Sequence, residues 1–220
     1  MRGDALGVLS VVAQVQWGLV TARQAVLEGV QRWDLSRLVG DGALEAVGYG
    51  VYRVAGAPVP EHLELKVAWL QLAPDLVAED RTASDGVVSH ASAAMLHGVG
   101  DFEPESFEFT VPRRKRTRRA DVVLHTAKLD ESEVDWVDQM AVTRPARTVG
   151  DLMRDRHDGE HVGRVLLDLL DKHLTTPAEL AAAAGPHAAA YGLPATDGEQ
   201  LIAHLMSLVG RPGQHFSGGS

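Results

Sequence analysis

Apolar residues Leu6, Leu9, Val12 and Ala13 recur at helical spacing, which predicts a first helix over residues 4–14. Thr21-Ala22-Arg23-Gln24 then reads as a capping box. The Thr21 hydroxyl can accept from the Gln24 amide while the Gln24 side chain reaches back, fixing a second helix that ends near Gly29. Gly29 permits a tight turn into a third helix over 31–39, with Leu35, Leu38 and Val39 on one face. Its other face carries Trp33, Ser36, Arg37 and Gly40, and Asp41-Gly42 ends it. Segments 43–47 and 51–55, rich in valine and tyrosine, are expected to pair as strands across Gly48-Tyr49-Gly50, where glycine supplies positive φ. Three short helices followed by a hairpin is the order of a winged helix-turn-helix.

Gly56-Ala57-Pro58-Val59-Pro60 has the composition of a linker, so a boundary is expected near Pro58. The expected organisation is a winged helix-turn-helix over 1–57, a second domain over 58–212, and a Gly/Ser-rich tail over 213–220, either flexible or appended. In the second domain, residues 62–72 form an amphipathic helix carrying Leu63, Val67 and Leu70, and 86–88 form a brief strand. Ser89 is placed to cap a short helix that ends near Gly98. Phe107, Phe109 and Val111 alternate with polar residues, and 122–124 supply a second strand, so a hairpin with a long cationic loop is expected. A further extended segment covers 134–142, after which Thr143 caps a helix with Pro145 in its first turn. Helices over 161–173, from Thr176-Pro177-Ala178-Glu179 onward, and over 199–209 complete the pattern. The fold class is α+β, with a mixed second domain whose C-terminal half is helical.

Charge changes this picture. The net formal charge is −9, yet six of the 21 basic residues fall in the run 113–119. Residues 1–56 hold five basic and five acidic side chains, so the N-terminal module is neutral. Charge-driven coating of nucleic acid by the whole surface is thereby excluded, and local charge must supply any phosphate binding. The chain has no cysteine, no 18-residue apolar stretch and no secretory signature in its first residues, so a cytoplasmic protein with no membrane partner is expected.

In a helix-turn-helix the second helix reads the major groove and the wing touches the backbone. The candidate readers are Arg32, Ser36 and Arg37, with Gln31 at the helix N-terminus and Tyr49 and Arg53 on the wing. Trp33 is either an exposed interface residue or packed under the wing. The loop cations Arg113, Arg114, Lys115, Arg116, Arg118 and Arg119 repel one another, and three readings stand: a solvated hairpin tip, a second phosphate clamp, or a dock for an acidic partner patch. His90 and His97 lack further ligands at metal spacing, and Ser89, Ser92 and His90 lack a third orienting group, so no metal and no catalytic residue is assigned. Arg147 and Asp151, four apart on a helix, pair to fix structure. No P-loop, Gly-x-Gly-x-x-Gly, kinase-type His-Arg-Asp loop or nuclease-like acidic cluster is found.

Two blocks carry a resemblance. Ser89-His90-Ala91-Ser92-Ala93-Ala94-Met95-Leu96-His97-Gly98 is similar to the Ser-His-x-Ser-Ala-Ala-x-x-His-Gly signature of the AbiEi family of antitoxins and transcriptional regulators. Val142-Thr143-Arg144-Pro145-Ala146-Arg147-Thr148, followed by Asp151-Leu152, resembles its second signature, and both follow a winged helix in the order found in the family. The resemblance implies an antitoxin of a type IV toxin–antitoxin system. Such a protein represses its own operon through inverted repeats in promoter DNA, as a monomer in solution or a dimer on DNA. Its C-terminal domain counters a nucleotidyltransferase-like toxin. No cofactor is expected. Two alternatives remain: neutralisation as an atypical protein kinase using ATP and magnesium, or a stand-alone winged-helix regulator. The third helix begins with Gln31 where relatives often have Ser or Thr, so the DNA sequence read does not transfer.

Overall fold

The computed structural model describes residues 5–102 and 105–209; the expected tail at 213–220 lies outside them. Among the described residues the fold is mixed α and β, with nine α-helices, a three-stranded antiparallel sheet and a five-stranded mixed sheet. Among the described residues no helix is long and apolar enough to cross a membrane. Packing divides the chain into two compact units, Met1–Val88 with Ser106–Val142, and Ser89–Glu105 with Thr143–Ser220.

The first unit begins with α1 (Ala5–Gln14), β1 (Leu19–Thr21), α2 (Ala22–Leu27), α3 (Arg32–Gly40), β2 (Leu44–Gly48) and β3 (Val51–Val54). The Thr21–Gln24 capping box forms in both directions. Strand β1 was not legible as a strand, because three residues carry no periodicity; it exists by pairing along β3, giving the order β1-β3-β2. Leu9, Val20, Leu35, Leu38 and Leu44 close the small core beneath. Gln16, which interrupts the apolar pattern, is fully buried and exchanges hydrogen bonds with Gln24 at 2.7 and 3.1 Å, so neither amide is left wanting.

Helix α4 (Leu63–Leu72) departs from the expected amphipathic pattern, because seven of its ten residues are buried, Lys66 included. His62, expected inside the helix, is instead its N-cap in the left-handed region. Trp69 is fully buried and its indole donates to the Gly86 carbonyl at 2.9 Å. Burying a side chain of this size contributes roughly 4–6 kcal/mol, several times the ~1 kcal/mol net worth of the hydrogen bond. Packing holds the helix, and the bond sets its rotation. Gly48 allows the β2–β3 hairpin to lie on α4, since a Cβ there would meet Val67 Cγ1 at 2.5 Å.

The second sheet contains β4 (Val87–Val88), β5 (Phe107–Val111), β6 (Val122–Thr126), β7 (Val134–Val137) and β8 (Met140–Thr143), in the order β6-β5-β4-β8-β7. The expected β5–β6 hairpin is corrected: the two strands are parallel, with Phe107 opposite Val122 and Val111 opposite Thr126. A tight turn cannot join parallel neighbours, so residues 112–121 must carry the chain back the length of β5. The cationic segment is that return path. Between β7 and β8, Asp138 and Gln139 both have positive φ, the pattern of a two-residue type I′ turn occupied by neither Asn nor Gly.

The second unit packs α5 (His90–Leu96), α6 (Pro145–Arg154), α7 (Gly159–Asp171), α8 (Pro177–Ala184) and α9 (Gly198–Leu208) around Val149, Leu152, Val165, Leu169, Leu180 and Leu205. The Thr176–Glu179 capping box forms. Two caps differ from expectation. Ser89 makes no side-chain cap bond, because its hydroxyl lies 2.9 Å from His90 Nδ1. The N-cap of α6 is Arg144, while Thr143 turns its hydroxyl to Thr148 at 2.8 Å. Fully buried Asp151 accepts from Arg147 at 2.9 Å and Arg154 at 2.8 Å, as expected for the first of these pairs. Burial, then Arg154, hold His187 below the ordinary imidazole range, against the pull of Asp151.

Two outcomes follow for stability. A methyl group at Gly163 would stand 2.3 Å from the Leu205 carbonyl oxygen. Gly163→Ala is therefore expected to lower the free energy of urea unfolding by about 1–3 kcal/mol, although propensity alone favours alanine by about 1 kcal/mol. For His187, the unfolded chain takes up its proton first as pH falls, because the folded-state pKa is depressed below 6.5. The contribution is complete above pH ~6.5 and is lost as pH falls through the folded-state value. Urea midpoints measured between pH 7.5 and 5.5 should fall less steeply for His187→Asn than for the parent protein.

Candidate nucleic-acid interface

Leu35 and Leu38 anchor α3 on the core, which leaves Gln31, Arg32, Trp33, Ser36 and Arg37 exposed. Trp33 is 58% exposed, which removes the alternative in which it packs beneath the hairpin. Arg37 touches Asp34 at 3.2 Å, an exposed pair of the kind worth at most about 1 kcal/mol, so its guanidinium remains available to a stronger partner. Tyr49 stands at the hairpin tip, 92% exposed. Arg53 differs: its guanidinium pairs with Glu45 and donates to the Ala57 carbonyl, and its side chain is largely covered.

The segment 113–119 also divides. Lys115 plants its ammonium on the Leu72 carbonyl at the end of α4, and burial lowers its pKa, opposed by Asp85 and assisted by Arg81. Arg119 donates to Asp121 at 2.9 Å and Gln71 at 3.1 Å and lies over the Phe107 ring. That hydrogen-bonded pairing holds the Asp121 carboxyl below its ordinary range. These two cations tie the loop down. Arg113, Arg114, Arg116 and Arg118 are exposed.

The tie brings two sequence-distant surfaces together. A cleft of about 940 Å³ is lined by Arg32 and Ser36 of α3, Tyr49 of the hairpin, and Lys115, Arg116, Arg118 and Arg119 of the loop. Gln31, Arg37, Arg53, Arg113 and Arg114 do not line it. Gln71 carries no motif by which the sequence could single it out, since an isolated glutamine is ordinary on an amphipathic helix. Its amide donates to the Tyr49 carbonyl at 2.9 Å and accepts from Arg119, so it bridges hairpin and loop. Arg23, also on the lining, pairs with Asp75 at 2.8 Å.

The block at 89–98 has its own geometry within the second unit. His90 is 2% exposed and has φ 54° at the first position of α5. Its Nδ1 lies 2.9 Å from Ser89 Oγ, and its Nε2 lies 3.6 Å from Asp155 Oδ2. Asp155 is an acidic neighbour that no local spacing could name, since it comes from the end of α6. His97 Nε2 meets the Thr143 carbonyl oxygen at 2.8 Å, linking the two signature blocks.

No protein-family model and no curated protein matches the sequence. Among solved structures, the chain is similar to the Rv2827c protein from Mycobacterium tuberculosis, with a TM-score of 0.52 at 19% identity over 93% of this chain and 76% of that one. At that identity the likeness establishes a shared fold.

Proposed function

We propose that the protein is a DNA-binding antitoxin of the AbiEi type. The helices α1–α3 and the β2–β3 hairpin act as a winged helix-turn-helix on its own promoter, and the chain restrains a nucleotidyltransferase-like toxin. The observation that carries the DNA-binding half is the cleft in which α3, the hairpin tip and the loop cations meet. A neutral recognition module needs phosphate contacts from elsewhere, and a loop tied to α4 through Lys115 and Arg119 leaves Arg116 and Arg118 exposed on the same cleft lining as α3. The restraint of a toxin rests on the resemblance of the two sequence blocks to the AbiEi signatures. Two copies are expected on an inverted repeat, each presenting one α3 to a half-site.

Replacing Arg32, Ser36 and Arg37 together by alanine is expected to abolish the promoter footprint; unchanged protection would remove α3 as the reading element. The same triple variant should still protect cells from the nucleotidyltransferase encoded beside it, a separation scored by growth on co-expression. Replacing Arg113, Arg114, Arg116 and Arg118 by alanine should make the plot of log affinity against log salt shallower, by about one unit for each phosphate no longer neutralised. An unchanged slope would assign those four side chains to solvent or to a protein partner.

A further inference from the structure

A second cavity in the first unit, of about 690 Å³, lies apart from the α3 face. Its lining is mainly apolar, with Ala13, Val54, Ala57 and the rigid pair Pro58 and Pro60 among its walls. Two polar groups on the lining converge on one point. The Lys66 ammonium, on a side chain 1% exposed, and the Trp17 indole N–H, at 3.1 Å, both hold the Asp138 carboxylate. Lys66 also donates to the Glu61 carbonyl at 2.7 Å, and its ammonium lies 5.2 Å from the centre of the Trp17 ring. The third N–H of that ammonium has no acceptor among the described residues. The other carboxylate at the rim, Glu61, has its side chain 84% exposed and 3.6 Å from His62.

An apolar cavity with an ammonium and an indole N–H converging at its wall is built to hold a carboxylate joined to an apolar body. The group now held there is poorly suited to stay. Asp138 has a side chain 49% exposed on a turn, and both it and Gln139 have positive φ without being glycine. Trp17 likewise has φ 59°. Lys66 cannot follow a departing partner, because it is buried in the middle of α4 and needs a compensating anion. A free carboxylate entering the cavity conserves that charge balance while the turn swings away.

We propose that this cavity is a binding site for a small organic monocarboxylate, held by Lys66 and Trp17 in exchange with Asp138. The reading is independent of the DNA-binding face. Benzoate is a suitable probe and benzamide its uncharged isostere, each titrated into the full chain by calorimetry. Saturable binding of benzoate at one site, at least tenfold tighter than benzamide, is expected. Asp138→Asn removes the internal competitor and should tighten benzoate at least fivefold. Lys66→Met, which replaces the buried ammonium by an apolar group of similar length, should abolish binding while far-ultraviolet circular dichroism stays unchanged. Benzoate and benzamide binding equally, binding that survives Lys66→Met, or no saturable binding to either the parent or the Asp138→Asn protein would each overturn the proposal.

Discussion

The C-terminal end of α4 is the constraint on which the first unit depends. A helix leaves its last carbonyls without partners, and here they are buried. Arg81, 3% exposed, answers by donating to the carbonyls of Trp69, Leu70 and Ala73 at 2.5, 2.7 and 2.6 Å, with its guanidinium stacked 4.2 Å from the Trp69 ring centre. The Leu72 carbonyl takes the Lys115 ammonium. Two cations at the negative end of a helix dipole are favourable, and the low-dielectric surroundings strengthen them. The cost shows in Arg81 itself, whose pKa burial draws down to about 10 despite the opposing charge of Asp85.

This arrangement explains why a run of six like charges is tolerated. It is not one functional block. Lys115 and Arg119 spend their charge on α4 and Asp121, which stabilises the crossover required by the parallel β5–β6 pair. The four arginines left outside face water, where repulsion is screened over about 8 Å at physiological salt. Topology therefore creates the exposed cationic surface: a hairpin loop could have been long or short, but a return path along β5 must be long and must rest on something.

Much of the fold was legible because local chemistry agreed with the final structure. The boxes at Thr21 and Thr176, the helix beginning at Pro145 and the β2–β3 hairpin each depend on residues within a few positions of one another. What could not be read depends on distant partners. Strand β1 exists only through β3, and the direction of β6 is decided by how residues 112–121 run over α4. Ser89 had the sequence of a cap, yet its hydroxyl went to His90. Nothing local to Lys66 foretells its burial, and only the turn at Asp138, more than seventy positions away in sequence, shows why a buried ammonium is allowed there. Of the candidate site, α3 and the hairpin tip were visible as local patterns, whereas the bridge through Gln71 was not.

On the proposed function, the same bridge bears on how an N-terminal module without net charge can hold DNA. Affinity for DNA comes mainly from phosphate contacts, and discrimination from base edges. Were the cations on a free loop, ordering them on DNA would cost entropy for each long side chain and for the backbone that carries it. Here Gln71 holds the hairpin backbone at Tyr49 and the loop at Arg119, while Lys115 fixes the loop to α4. The backbone carrying Arg116 and Arg118 is thus tied to α4 on both sides, which lowers the entropy lost when a ligand binds. Tying the loop to α4 sets Arg116 and Arg118 on the same cleft lining as Arg32 and Ser36 of α3, which gives a module without net charge of its own a neighbouring cationic surface.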